Sequence, residues 1–85
     1  MTEKVLVVED ETVLQETLAY NLTREGYEVK TVGDGIAGLK LARDWQPDLV
    51  LLDVMLPLLD GFEVCKHIRA ESDIPVLMLT ARADE

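Results

Sequence analysis

Eighty-five residues make at most one domain, and a chain of this size buries only a little over ~60% of its unfolded surface, so there is one small core and no room for a second module. A hydrophobic share of 48% beside 29% charged residues excludes a disordered chain. Seventeen acids against eight bases give a formal charge of −9, which repels a phosphate backbone and speaks against nucleic-acid binding by this domain alone.

From the N-terminus, Lys4 to Val8 reads as a short buried strand, β-branched at three positions and apolar on both faces like a central parallel strand. Thr12 to Glu25 follows as an amphipathic helix, with Leu14, Leu18 and Leu22 at four-residue spacing and Val13 widening the stripe. Gly26 stops it. Tyr27 to Val32 alternates as a strand exposed on one face, at a sheet edge. Gly33-Asp34-Gly35 is a turn, since no phosphate-loop lysine follows it. Ile36 to Trp45 forms a second helix carrying Ile36, Leu39 and Ala42 inward, and Pro47 prevents its continuation. Asp48 to Asp53 is the third strand. Phe62, Cys65 and Ile68 mark a third helix over Gly61 to Glu71, and Pro75 to Leu79 is a fourth strand, apolar on both sides. Ala81 to Glu85 looks like the start of another helix.

Alternating strands and helices joined by right-handed crossovers give a parallel sheet covered on both faces. Ligands in such sheets bind beyond the C-terminal strand ends, at the switch point of the strand order, which places the first strand between the second and third. The run Val5-Leu6-Val7-Val8 ends in Glu9-Asp10-Glu11, and the run Leu49-Val50-Leu51-Leu52 ends in Asp53. With those strands adjacent, Glu9, Asp10 and Asp53 meet at one edge of the sheet. Crowded carboxylates hold protons more tightly unless a cation neutralises them, and hard oxygen ligands around a compact pocket suit Mg²⁺. The chemistry implied is phosphoryl transfer onto an aspartate.

At these residues the chain resembles the receiver domain of bacterial two-component response regulators. Four features match in order: Glu9-Asp10 after the first strand, Asp53 after the third, the Pro57 to Gly61 loop, and Leu79-Thr80-Ala81 after the fourth. The segment from Asp53 to Arg69 is most similar to receivers attached to winged-helix transcription factors. The resemblance implies a flavodoxin-like doubly wound α/β fold of strand order 2-1-3-4, truncated after the fourth strand, so that residues 1–85 form a partial receiver. It also implies a role for each matching residue. Asp53 is the phosphoacceptor. Asp10, Asp53 and the Met55 carbonyl hold Mg²⁺, with Glu9 acting through water. Thr80 is the switch residue, and Pro57 and Gly61 shape the loop around the donor, a sensor histidine kinase or a small acyl phosphate.

In the family a fifth strand ends in a lysine that contacts the phosphoryl group, and no such strand follows here, so impaired switching is expected. Lys4, Lys30, Lys40 and Lys66 fall at positions that do not substitute for it. The resemblance implies a signalling domain and no enzyme beyond self-phosphorylation and self-dephosphorylation. A metal-dependent phosphohydrolase commonly places a second acid two residues after its nucleophile, where this chain has Met55. A different reading is an assembly module, a homo-oligomer formed through the fourth strand over Pro75 to Leu79, because an unpaired apolar edge recruits other chains.

Plainer readings account for the remaining residues. Asp60 is a loop or helix-capping acid, His67 a solvated helix histidine, Cys65 a small core hydrophobe, and Trp45 a packing residue. A lone cysteine forms no internal disulfide, nothing at the N-terminus resembles a signal peptide, and no apolar stretch approaches the ~18 residues that cross a bilayer. The expected compartment is the cytoplasm, with no membrane association.

Overall fold

The computed structural model describes residues 2–56 and 58–79. Pro57, Thr80 and the helix start expected over 81–85 lie outside the described residues. The elements run β1 (Lys4–Val8), α1 (Thr12–Arg24), β2 (Glu28–Val32), α2 (Gly35–Trp45), β3 (Leu49–Asp53), α3 (Gly61–Glu71) and β4 (Val76–Leu79). All strand pairs are parallel, as the alternation predicts, and the order is β2-β1-β3-β4, as the resemblance implies. β1 is flanked on both sides: Val5 to Val8 pair with Val29 to Val32 on one edge and with Leu49 to Leu52 on the other.

Side chains alternate across a strand, so the apolar runs of β1 and β3 supply both faces of the sheet. Leu6, Val8, Val50 and Leu52 pack on one face with Ala42 of α2 and with Val64 and Ile68 of α3. Val5, Val7 and Leu51 pack on the other, against Leu18 and Leu22 of α1. Each such fully buried side chain contributes about 1.5–3 kcal/mol, so the two central strands anchor the fold and hold their own ends in place.

Chain stops are built as the sequence suggests. Gly26, at φ 99°, closes α1: its N–H donates to Thr23 O (3.0 Å), and the Tyr27 N–H reaches Leu22 O (3.2 Å). This is the paired arrangement that satisfies the last carbonyls of a helix. Gln46 ends α2 in the left-handed region (φ 55°), immediately before Pro47. Asp34 caps α2, its Oδ1 accepting from Ala37 N–H at 2.7 Å, and Asp60 caps α3 by accepting from Glu63 N–H at 3.1 Å. Arg43 of α2 donates through Nε and Nη2 to the Glu71 carboxylate of α3, both at 2.7 Å, which holds that carboxyl below its ordinary pKa.

Three inward assignments are corrected. Val13, Ile36 and Phe62 are 72%, 56% and 66% exposed. Each is the second residue of its helix and packs on neither core cluster; on α2 and α3 the first residue faces inward, which turns the second about 100° away. On α2 the buried positions are Gly35, Gly38 and Ala42, and on α3 they are Gly61, Val64 and Ile68. The face of α2 that meets the sheet is thus lined by small residues. An added Cβ at Gly38 would lie 2.9 Å from Val8 Cγ2, so α2 rides directly on β1.

Candidate functional site

Val8 of β1 pairs with Leu52 of β3, so the next residues, Glu9 and Asp53, leave the two strands side by side. Both are 1% exposed, and Asp10 beside them is open to solvent. One carboxylate oxygen from each of Glu9, Asp10 and Asp53 lies within 4.8 Å of the other two. The convergence expected from the two acid-tipped runs is therefore present.

The hydrogen bonding of this cluster is incomplete. Glu9 Oε2 accepts from the Glu11 N–H at 2.9 Å, and Asp53 Oδ1 accepts from the Met55 N–H at a long 3.4 Å. Glu9 Oε1 and Asp53 Oδ2 are buried with no protein partner. Burial raises the pKa of the Glu9 carboxyl above its ordinary value, the Glu11 amide opposes the shift, and the negative charges of Asp53 and Asp10 add to it. Buried carboxylate oxygens without donors cost free energy. A hard divalent cation satisfies such oxygens and cancels their repulsion, so the donor set fits Mg²⁺.

The connection from β3 to α3 is shaped around this cluster. The Gly61 N–H donates to Val54 O at 2.9 Å and ties the two ends of the loop together. An added Cβ at Gly61 would collide with Asp53 O and stand 2.7 Å from Val54 Cα, which explains the glycine. Leu58 holds φ 73°, a conformation unusual for a non-glycine residue. Met55 follows Asp53 by two residues on the exposed shoulder of the loop.

Sequence reasoning missed Gln15. Its Nε2 donates to Glu9 O at 2.8 Å and to Val32 O at 3.1 Å, clasping the ends of β1 and β2 from the first turns of α1. No local pattern marks a glutamine on a polar helix face as a bridge between two strand ends. Two of the lysines are held away from the carboxylates: Lys4 Nζ donates to Trp45 O at 3.0 Å, and Lys4 and Lys30 Nζ stand 5.4 and 5.1 Å from the centre of the Trp45 ring. Trp45 closes α2 beside the start of β1, at the opposite end of the sheet from the carboxylates.

A parallel, doubly wound sheet with acids converging at the ends of its two central strands defines a flavodoxin-like domain with an acid pocket at its switch point. Residues 5–85 match the response regulator receiver domain, and the chain belongs to that family. Among curated relatives, it is 52% identical over 86 residues to the alkaline phosphatase synthesis transcriptional regulatory protein PhoP of Bacillus subtilis, covering 100% of this chain and 36% of that protein. It is 48% identical over 81 residues to the transcriptional regulatory protein AfsQ1 of Streptomyces coelicolor, covering 95% of this chain and 36% of that protein. The chain thus spans little more than a third of the length of these relatives.

Solved structures agree. The receiver domain of the sensor histidine kinase PA1611 of Pseudomonas aeruginosa, with a magnesium ion coordinated in its active-site cleft, superposes with a TM-score of 0.92 at 35% identity, over 100% of this chain and 72% of that one. The chemotaxis response regulator CheY4 of Vibrio cholerae matches with a TM-score of 0.92 at 34% identity, over 99% of this chain and 72% of that one.

Proposed function

We propose that this chain is the phosphoacceptor module of a two-component response regulator, with Asp53 taking the phosphoryl group from a sensor histidine kinase or a small acyl phosphate. The observation that carries the proposal is the pair of buried, unpartnered oxygens, Glu9 Oε1 and Asp53 Oδ2, in a cluster with Asp10. Asp10, Asp53 and the Met55 carbonyl would hold Mg²⁺, with Glu9 reaching it through water. Bound there, the ion supplies charge neutralisation between an anionic nucleophile and an anionic phosphoryl group. An Asp53 carboxylate oxygen forms a bond to phosphorus as the bond from phosphorus to the donor's imidazole nitrogen breaks, and the electron pair leaves on that nitrogen. Burial of Asp53, which is 1% exposed, keeps its carboxylate poorly hydrated. Gly61 fixes the loop root and leaves space beside Asp53.

On this reading the domain is a signalling acceptor and not an enzyme, it works in the cytoplasm, and Pro57 and Thr80 carry the loop and switch roles that their motif positions imply. Among the described residues no helix is long and apolar enough to cross a membrane. Incubation with Mg²⁺ and acetyl phosphate should add one phosphoryl group by intact mass, and Asp53→Ala should abolish it. No increment under conditions that modify another receiver would refute the proposal.

The assembly reading draws on Leu77, which is 56% exposed on β4. Sedimentation that shows a single monomeric species across micromolar concentrations would sink it.

A further inference from the structure

Gly35 was read from the sequence as part of a turn, yet it is a buried first residue of α2 and meets the loop that follows Asp53. We infer, resting on the phosphoacceptor reading above, that Gly35 is a positioning residue for the site: its missing side chain lets the loop seat against α2 at the depth that sets Met55 relative to Asp53.

A Cβ built on Gly35 would overlap the Leu59 carbonyl oxygen, lie 2.9 Å from Leu59 C and stand 2.8 Å from Val64 Cγ2. The first two contacts are with backbone, which cannot swing aside as a side-chain tip does. The α2 side of the contact is also fixed, because Asp34 Oδ1 holds the Ala37 N–H at 2.7 Å and the Gly38 N–H bonds to Asp34 O at 3.0 Å. The loop cannot take up the strain at its root, where Gly61 N–H grips Val54 O at 2.9 Å. A methyl group at position 35 must therefore displace Leu59 and carry the segment between Val54 and Asp60 with it. Met55, proposed to offer its carbonyl to the ion, lies in that segment. Groups that orient metal ligands from outside the coordination shell typically change affinity about 10–100-fold when altered.

The other glycines separate this role from loss of a glycine as such. A Cβ at Gly33 meets nothing within 4 Å, and one at Gly38 meets only the Val8 side chain. Magnesium titration by calorimetry on the original chain, Gly35→Ala, Gly33→Ala and Ile68→Val tests the inference, the last variant serving as a control for lowered stability away from the loop. Gly35→Ala should bind Mg²⁺ about tenfold or more weakly, while Gly33→Ala and Ile68→Val keep the original affinity.

Equal magnesium affinity in Gly35→Ala and the original chain overturns the inference. If Gly35→Ala does not fold, the double variant Gly35→Ala with Val64→Ala relieves the Val64 contact and keeps the Leu59 one, and full affinity in that protein is likewise an overturning result. An original chain that takes no magnesium removes the phosphoacceptor reading and the inference with it. Binding by the original chain with no loss in the variants removes the inference alone.

Discussion

Replacing Asp53 by asparagine removes one of three clustered negative charges while keeping the shape of the side chain. With carboxylate oxygens of Glu9 and Asp53 within 4.8 Å of each other, Coulomb repulsion at an effective dielectric of ~20 is about 3.5 kcal/mol. Part of that is not recovered, because the asparagine carbonyl still presents a partial negative charge to Glu9, and the repulsion from solvent-exposed Asp10 is screened. A net gain of about 1–3 kcal/mol remains. Little is lost in exchange, since the Asp53 Oδ1 bond to Met55 N–H is a long 3.4 Å and an asparagine oxygen can keep it. The new amide group can also donate to the unpartnered Glu9 Oε1. At about 4–8 °C per kcal/mol for a domain of this size, the metal-free melting temperature should rise by roughly 5–20 °C. Thermal denaturation by circular dichroism in chelator at neutral pH measures it. Mg²⁺ at ~100 times its Kd should then stabilise the original chain by about 2.7 kcal/mol and the variant by less. An unchanged or lower metal-free melting temperature in Asp53→Asn would refute the charge-cluster argument.

Glu9→Gln should remove a pH dependence. Because the folded carboxyl sits above its ordinary value of 4.5, the folded state binds the proton more tightly than the unfolded chain. Its stabilisation is therefore full below that value and lost as pH rises through the folded pKa. The variant should be more stable than the original chain at neutral pH in chelator, with the gain vanishing below about pH 4.5, as urea titrations across pH would record. Gly26→Ala should cost about 1 kcal/mol, entirely from the backbone at φ 99°, since nothing lies within 4 Å of the added methyl; an unaltered urea midpoint would contradict that. Gln15→Ala should destabilise by about 1–2 kcal/mol by stripping a donor from Glu9 O and Val32 O, and amide exchange at Glu9, bonded to Val32 O, should quicken with it.

The acid-tipped runs Val5 to Glu9 and Leu49 to Asp53 carry their own reading, because a continuous apolar run of that length is a central strand and an acid at its tip must face the rim. From the alternation follows the parallel sheet, from the switch-point rule the meeting of Glu9, Asp10 and Asp53, and from the resemblance to receivers the full strand order. Helix stops were equally legible, since Gly26 and Pro47 act within their own turn. Helix faces were not. Periodicity placed Val13, Ile36 and Phe62 inward, yet which face of a helix meets the sheet depends on how the helix is turned as it packs: α2 and α3 bury Gly35 and Gly61 in place of the residues that follow them. The same limit hid Gln15 and Gly35. One bridges carbonyls at residues 9 and 32, the other admits the backbone of residue 59, and both contacts exist only once the strands and the loop have been brought into register by the core.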